Sequence, residues 1–294
     1  MTFALNKLLL MKFLLPALVC LPVISPARGQ DVHGTVVVSA HSKTKLVLAT
    51  ESRNANSLNA PTMCKILVLD SRTVFSGAGI AAHANHWNAL AEAAYAFEKA
   101  KPSQGSSRLR NTAIDFGDRF SRAVNKALQI DREASKRVIE DDENRVFNAL
   151  FLGFTEGVAE MYQIQVIYDP LTSKANASLD IIVQEDDLRF GASGRNETAV
   201  EVISGASEFG RSELKKWEKT QEEFPQQDRD VRWLMKLVEL TIAYNPHRED
   251  VGGPIDGLEI TRNGIRWVQC KPQCQCDNKP LIIPPNVRKI LESE

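Results

Sequence analysis

Residues Gln30 to Arg53 read QDVHGTVVVSAHSKTKLVLATESR, and the run beginning at Thr35 decides how the rest of the chain is parsed. Two β-rich stretches, Thr35–Ser39 and Lys45–Thr50, flank the polar segment HSKTK, the pattern of a hairpin. On its own, Thr35 is a β-branched residue in a β context. A threonine that becomes the first residue of a chain is different. Its free α-amine then stands beside its own hydroxyl and can act as that hydroxyl's base.

The residues that precede the stretch predict processing close to Thr35. Residues 1–29, MTFALNKLLLMKFLLPALVCLPVISPARG, join Lys7 and Lys12 to an apolar run and end on the small residues Ala27 and Gly29. That three-part pattern predicts a signal peptide cleaved after Gly29, with Met11 as a second possible start. Pro16 and Pro22 interrupt an apolar run that is already short for a spanning helix. The expected mature protein is therefore secreted or periplasmic. Residues 30–34 are left as a short propeptide.

Of the 294 residues, 43% are apolar and 25% charged, the balance of an ordinary globular chain. Without Lys7, Lys12 and Arg28, 33 basic side chains face 37 acidic ones. No basic run with interleaved aromatics appears, which argues against a nucleic-acid partner. The mature cysteines are Cys64, Cys270, Cys274 and Cys276. An even number in an exported chain predicts disulfides, of unspecified connectivity. The cluster CKPQCQC could also ligate a metal, but three cysteines plus a distant fourth are an atypical zinc set. The five histidines lack ligand spacing, so neither metal nor cofactor is expected.

Downstream, MCKILVLD and TVFSGAG predict two more short strands, and AAHANHWNALAEAAYAFEKAK a helix. A loop over 102–107 precedes a second helical region running to about Asn144. The stretches VFNALFLGF and EMYQIQVIYD then read as strands, and LDIIVQEDDLRFGASG as a further strand pair. Helices follow over SELKKWEKTQEEF and VRWLMKLVELTIAY, and a final hairpin turns at Asn263-Gly264. Paired helices between antiparallel hairpins predict an α+β fold with helical layers outside packed sheets.

In this order, several stretches resemble the proteasome β-type subunits, members of the N-terminal-nucleophile (Ntn) hydrolases. GTVVVSA…KLVLATESR is similar to that family's opening strand pair, and MCKILVLDSRTVFSGAGIAAHAN to its lysine strand and the turn into the first helix. GASG resembles its Gly-Ser-Gly loop, and DVGGPIDGLEITRNGIRW its late Gly-Gly strand. The resemblance implies a four-layer αββα sandwich over 35–270, followed by a cysteine-containing tail over 271–294. It further implies a threonine-type peptidase or amidohydrolase acting on peptides or other amides, and a possible homo-oligomer.

Carried over by position, Thr35 matches the nucleophile, Gly34 the residue released by self-cleavage, and Lys65 the catalytic lysine. Glu51 stands where the family has aspartate, Arg53 matches its arginine, Gly79 its oxyanion donor and Ser193 its loop serine. Asn54, Met63, Gly77, Ala81 and Asn85 match the substrate pocket. The chemistry is coherent: an α-amine titrates close to neutral pH, where a general base works best. A neighbouring ammonium lowers that pKa and stabilises a developing oxyanion. One motif departs. The family's late Asp-x-x-Ser-Gly-Gly appears as REDVGG, with Arg248 and Val251 at the aspartate and serine positions. The alternatives are a catalytically inactive relative used for binding or assembly, and a metal or redox protein built on the cysteine tail.

Overall fold

A computed structural model describes residues 35–53, 64–83, 86–103, 105–141, 144–194, 196–220, 224–244, 251–271, 274 and 276–293. The expected signal peptide and propeptide lie outside these residues. The fold mixes α and β, with two five-stranded antiparallel sheets.

The first sheet holds β1 (Val36–His41) and β2 (Leu46–Thr50), joined as the predicted hairpin, with β10 (Arg189–Gly194) beside β1. On the other side of β2 lie β11 (Asp256–Thr261) and β12 (Gly264–Gln269), the hairpin turning at Asn263-Gly264. The second sheet runs in the order β3 (Ile66–Asp70), β4 (Thr73–Gly79), β7 (Arg145–Thr155), β8 (Val158–Asp169), β9 (Lys174–Ile182). Every residue of β1 and β2 is buried, which is why both read as continuous apolar runs.

Three cores explain the arrangement. One joins Val37, Leu46 and Leu48 of the first sheet to Ile66, Val68, Val74, Leu150 and Leu152 of the second. On the outer side of the second sheet, Phe75, Phe147 and Phe151 pack against α1 (Ala89–Lys99) and α2 (Arg108–Ile130). Phe116 and Phe120 of α2 stack at 5.4 Å in the middle of that layer. On the outer side of the first sheet, Val36, Val38, Val47 and Ala49 meet α4 (Glu197–Ser204) and α6 (Arg229–Tyr244). In chain order α5 (Glu208–Glu218) falls between α4 and α6.

Four sequence expectations change. The first helix begins at Ala89 and not before, because β5 (Ala82–His83) pairs with β6 (Trp87–Asn88) just ahead of it. Asn88 is extended and its side chain accepts from the Ala91 N–H at 3.1 Å, an N-cap that fixes the start. The second helical region is two helices, since Asp131 leaves the helical conformation (φ −134°, ψ 72°) before α3 (Arg132–Asp141). The strands of LDIIVQEDDLRFGASG do not pair with one another; β9 joins β8 and β10 joins β1, in different sheets. Finally, the sequence reading missed α4 and α7 (Pro285–Glu292), whose apolar positions are too few for a clear period.

Residues after Lys271 pack onto the body. Ile283 and Leu291 are buried in the core over the second sheet, Arg119 Nη2 donates to the Leu291 carbonyl at 2.6 Å, and Arg288 forks onto Glu98. The four described cysteines are paired, Cys64 with Cys274 and Cys270 with Cys276, as an oxidising compartment permits. Among the described residues, no helix is long and apolar enough to cross a membrane.

Candidate functional site

Thr35 is the residue before β1, and the strands around it bring four sequence-separated segments to its position. The β1–β10 ladder sets Val36 opposite Gly194 and Val37 opposite Ser193. Gly194 has φ +83°, and a Cβ there would sit 1.7 Å from the Thr35 carbonyl oxygen. Only glycine lets the backbone lie this close. Thr35, Ser193, Gly194, Ala78, Gly79 and Phe147 line a cleft of about 160 Å³, together with Arg145 and Gln165. Gly79, at the end of β4, has φ +111°, and a Cβ would meet the Val146 carbonyl at 2.7 Å. Ser193 is buried, and its Oγ accepts from Asn148 Nδ2 at 3.3 Å.

The charged part of the site lies under the start of β1. Glu51, just past β2, is fully buried. Its Oε1 accepts from Lys65 Nζ at 2.5 Å and also from the Val36 N–H at 3.4 Å. Its Oε2 accepts from the Arg53 N–H at 2.5 Å and the Gly252 N–H at 3.2 Å. The carboxylate is thus fixed by four donors from four places in the chain. Glutamate in place of aspartate does not prevent the contact. The Arg53 side chain reaches the Val251 carbonyl, to which its Nη1 donates at 3.3 Å.

Lys65 is as deeply buried as its partner. Burial pushes its ammonium below the ordinary lysine range, Glu51 pulls it back up, and Lys271 adds a further downward push. The Lys65 carbonyl accepts from Ser76 Oγ at 2.8 Å, which pins the residue at the entrance to β3.

Lys271 belongs to a second buried ion pair that the sequence reading missed. Its Nζ lies 2.5 Å from Asp256 Oδ2, with both side chains at most 3% exposed. Its N–H donates to Asp256 Oδ1 at 2.9 Å. Asp256 pairs with Thr50, the neighbour of Glu51, across the β2–β11 ladder. Burial raises the Asp256 carboxyl above the usual range and lowers Lys271, each opposed by its partner. A signal for Asp256 was present: it shares a buried face with Leu258 and Ile260 at strand period. Lys271 left none, because it lies past the end of β12, outside any strand period.

The remaining expected residues are placed less closely. Gly77 pairs with Ala149 and packs under the Phe147 ring, where a Cβ would be 2.5 Å from Cζ. Ala81 is half-buried against the helix-side core. Gly34, Asn54, Met63, Asn85 and Arg248 lie outside the described residues. Val251 is buried, so the position that the resemblance would give to a serine carries an apolar side chain. Among the described residues no cluster of His, Cys, Asp or Glu could hold a metal ion. No family model matches the chain, and a search of the curated proteins gives no match.

Proposed function

We propose that the protein is an exported threonine-type peptidase or amidohydrolase of the proteasome-like Ntn class, with Thr35 exposed by self-cleavage after Gly34. The observation that carries this reading is the shared oxygen Glu51 Oε1, which holds Lys65 Nζ and the Thr35–Val36 peptide N–H together, next to the Thr35 that lines the cleft. The stacking of helices, sheet, sheet and helices around three cores supports the four-layer αββα sandwich that the same family implies. The apolar leader and the two disulfides support export.

In this reading the Thr35 hydroxyl attacks the Gly34 carbonyl, and the amide becomes an ester as the Thr35 nitrogen is released. Water then cleaves the ester, giving a Gly34 carboxylate and restoring the Thr35 hydroxyl beside its now free amine. In turnover that amine takes the hydroxyl proton while Oγ attacks the substrate amide carbonyl. The Gly79 N–H is the donor for the oxyanion, and Lys65 supplies positive charge beside it. The proton passes to the leaving amine, and a second water, deprotonated by the Thr35 amine, frees the acyl group. Glu51 and Arg53 act as positioning residues, and Ser193 lines the same cleft as the nucleophile.

Hydrolysis of a panel of fluorogenic peptide amides tests the reading. Wild type should turn over at least one of them, Thr35→Ala none, and Thr35→Ser some. Equal rates for wild type and Thr35→Ala would overturn it.

One observation favours a second reading, a catalytically silent binding or assembly protein. The buried Val251 stands beside Arg53 where the resemblance would put a hydroxyl. Folded, oxidised protein that keeps residues 30–34 and hydrolyses nothing would decide for it.

A further inference from the structure

The C-terminal segment enters the site through one lysine. Cys64 immediately precedes Lys65 and is bonded to Cys274, while Cys270 immediately precedes Lys271 and is bonded to Cys276. The two disulfides close a knot around Lys271. Its carbonyl accepts from the Cys274 N–H at 2.9 Å, and Cys276 Sγ lies 2.9 Å from the same oxygen. The Lys271 side chain is 3% exposed and its ammonium is seated on Asp256. A buried pair of this kind is costly, and replacing it by apolar residues is often neutral or stabilising, so its presence calls for another reason.

Its position supplies one. Asp256 sits across the ladder from Thr50, and Thr50 Oγ1 donates to the Val36 carbonyl at 2.9 Å and contacts the Glu51 carbonyl at 3.1 Å. The two buried pairs, Glu51–Lys65 and Asp256–Lys271, therefore stand side by side on one strand end. Among the described residues the charged groups around Lys65 are Glu51 after β2, Asp256 opening β11, Lys271 after β12, and Arg53, whose guanidinium reaches the Val251 carbonyl.

We infer that Lys271, seated on Asp256 and locked by the two disulfides, is a positioning residue that sets the place and charge of Lys65. The oxidised C-terminal segment is then a working part of the site. Its effect on turnover rests on the threonine-hydrolase reading, but its effect on the titration of Lys65 does not. Like charge nearby disfavours the ammonium form, so removing Lys271 lets Lys65 hold its proton to higher pH.

The experiment compares the full exported chain, labelled with ¹³C-lysine, with Lys271→Met and the double variant Asp256→Asn/Lys271→Met, in an NMR pH titration of Lys65. The double variant leaves no unpaired buried carboxylate, and so keeps the test open if the single one does not fold. Lys65 should titrate at higher pH in Lys271→Met and, by less, in the double variant. With a peptide-amide substrate, kcat should fall about 10- to 100-fold with KM unchanged, the scale of a displaced reacting group. Cys64→Ser/Cys274→Ser should move Lys65 in the same direction, because it frees the knot. An unmoved Lys65 in the folded variants would overturn the inference. If the wild type turns over nothing while Lys65 still moves, the hydrolase reading falls and the positioning role stands.

Discussion

The two ends of the β1–β2 hairpin carry similar side chains in opposite surroundings. At the turn end, Lys43 pairs with Asp186 at 3.1 Å with both side chains more than half exposed, and Lys45 reaches Asp230 at the edge of solvent. At the other end, Glu51 and Lys65 pair with at most 3% exposure, and Asp256 and Lys271 repeat the arrangement beside them. Exposed pairs contribute about 0–1 kcal/mol and are screened by salt. Buried ones must overcome a desolvation cost that can exceed their attraction. A chain that solvates its charges at one end and buries four at the other places the costly arrangement where charge control matters, as functional sites commonly do.

That contrast can be broken in graded steps. The largest effect is expected for Lys65→Met, which leaves the Glu51 carboxylate buried without its cation. Breaking such a pair costs about 3–5 kcal/mol. Denaturant unfolding should show that loss, and the double variant Glu51→Gln/Lys65→Met should recover part of it while hydrolysis stays absent. Recovered activity would contradict the role of the pair.

Gly79→Ala comes next. The φ of +111° and the 2.7 Å approach to the Val146 carbonyl predict a loss of about 1–3 kcal/mol from strain, together with a displaced cleft wall. A midpoint equal to wild type would show that the β4 end relaxes freely.

At the turn end the effects should be small. Lys43→Ala should change stability by less than ~0.5 kcal/mol in the same denaturation assay.

His41, at that end of β1, offers a pH test. Burial holds its imidazole below the ordinary histidine range, against its hydrogen bond to Gln184 and the nearby Glu185, while Arg189 adds to the lowering. The native state therefore binds this proton later than the unfolded chain. Stability is unaffected above the ordinary histidine pKa and falls as pH drops from there through the lower folded value. His41→Gln should flatten that slope in the range just below the ordinary histidine pKa; an unchanged slope would assign it to other groups.

The sequence disclosed the strands around Thr35 because period and composition are local properties. Glu51, Lys65, Gly79 and Ser193 could be put forward only through their order along the chain, and the structure brings all four near Thr35. What stayed hidden depends on contacts between distant segments. Val36 meeting Glu51, Gly194 lying against Thr35 and Lys271 reaching Asp256 leave no local periodicity to read. The late start of α1 is a case of competition, in which the Asn88 cap overrides a helical pattern that began earlier.

N-terminal sequencing with intact mass of the folded, purified protein tests most directly whether Thr35 becomes a chain terminus, as we propose. Thr35 should be the first residue in wild type and Gln30 in Thr35→Ala. Gln30 as the first residue of folded, oxidised wild-type protein, with no Thr35 terminus, would contradict it.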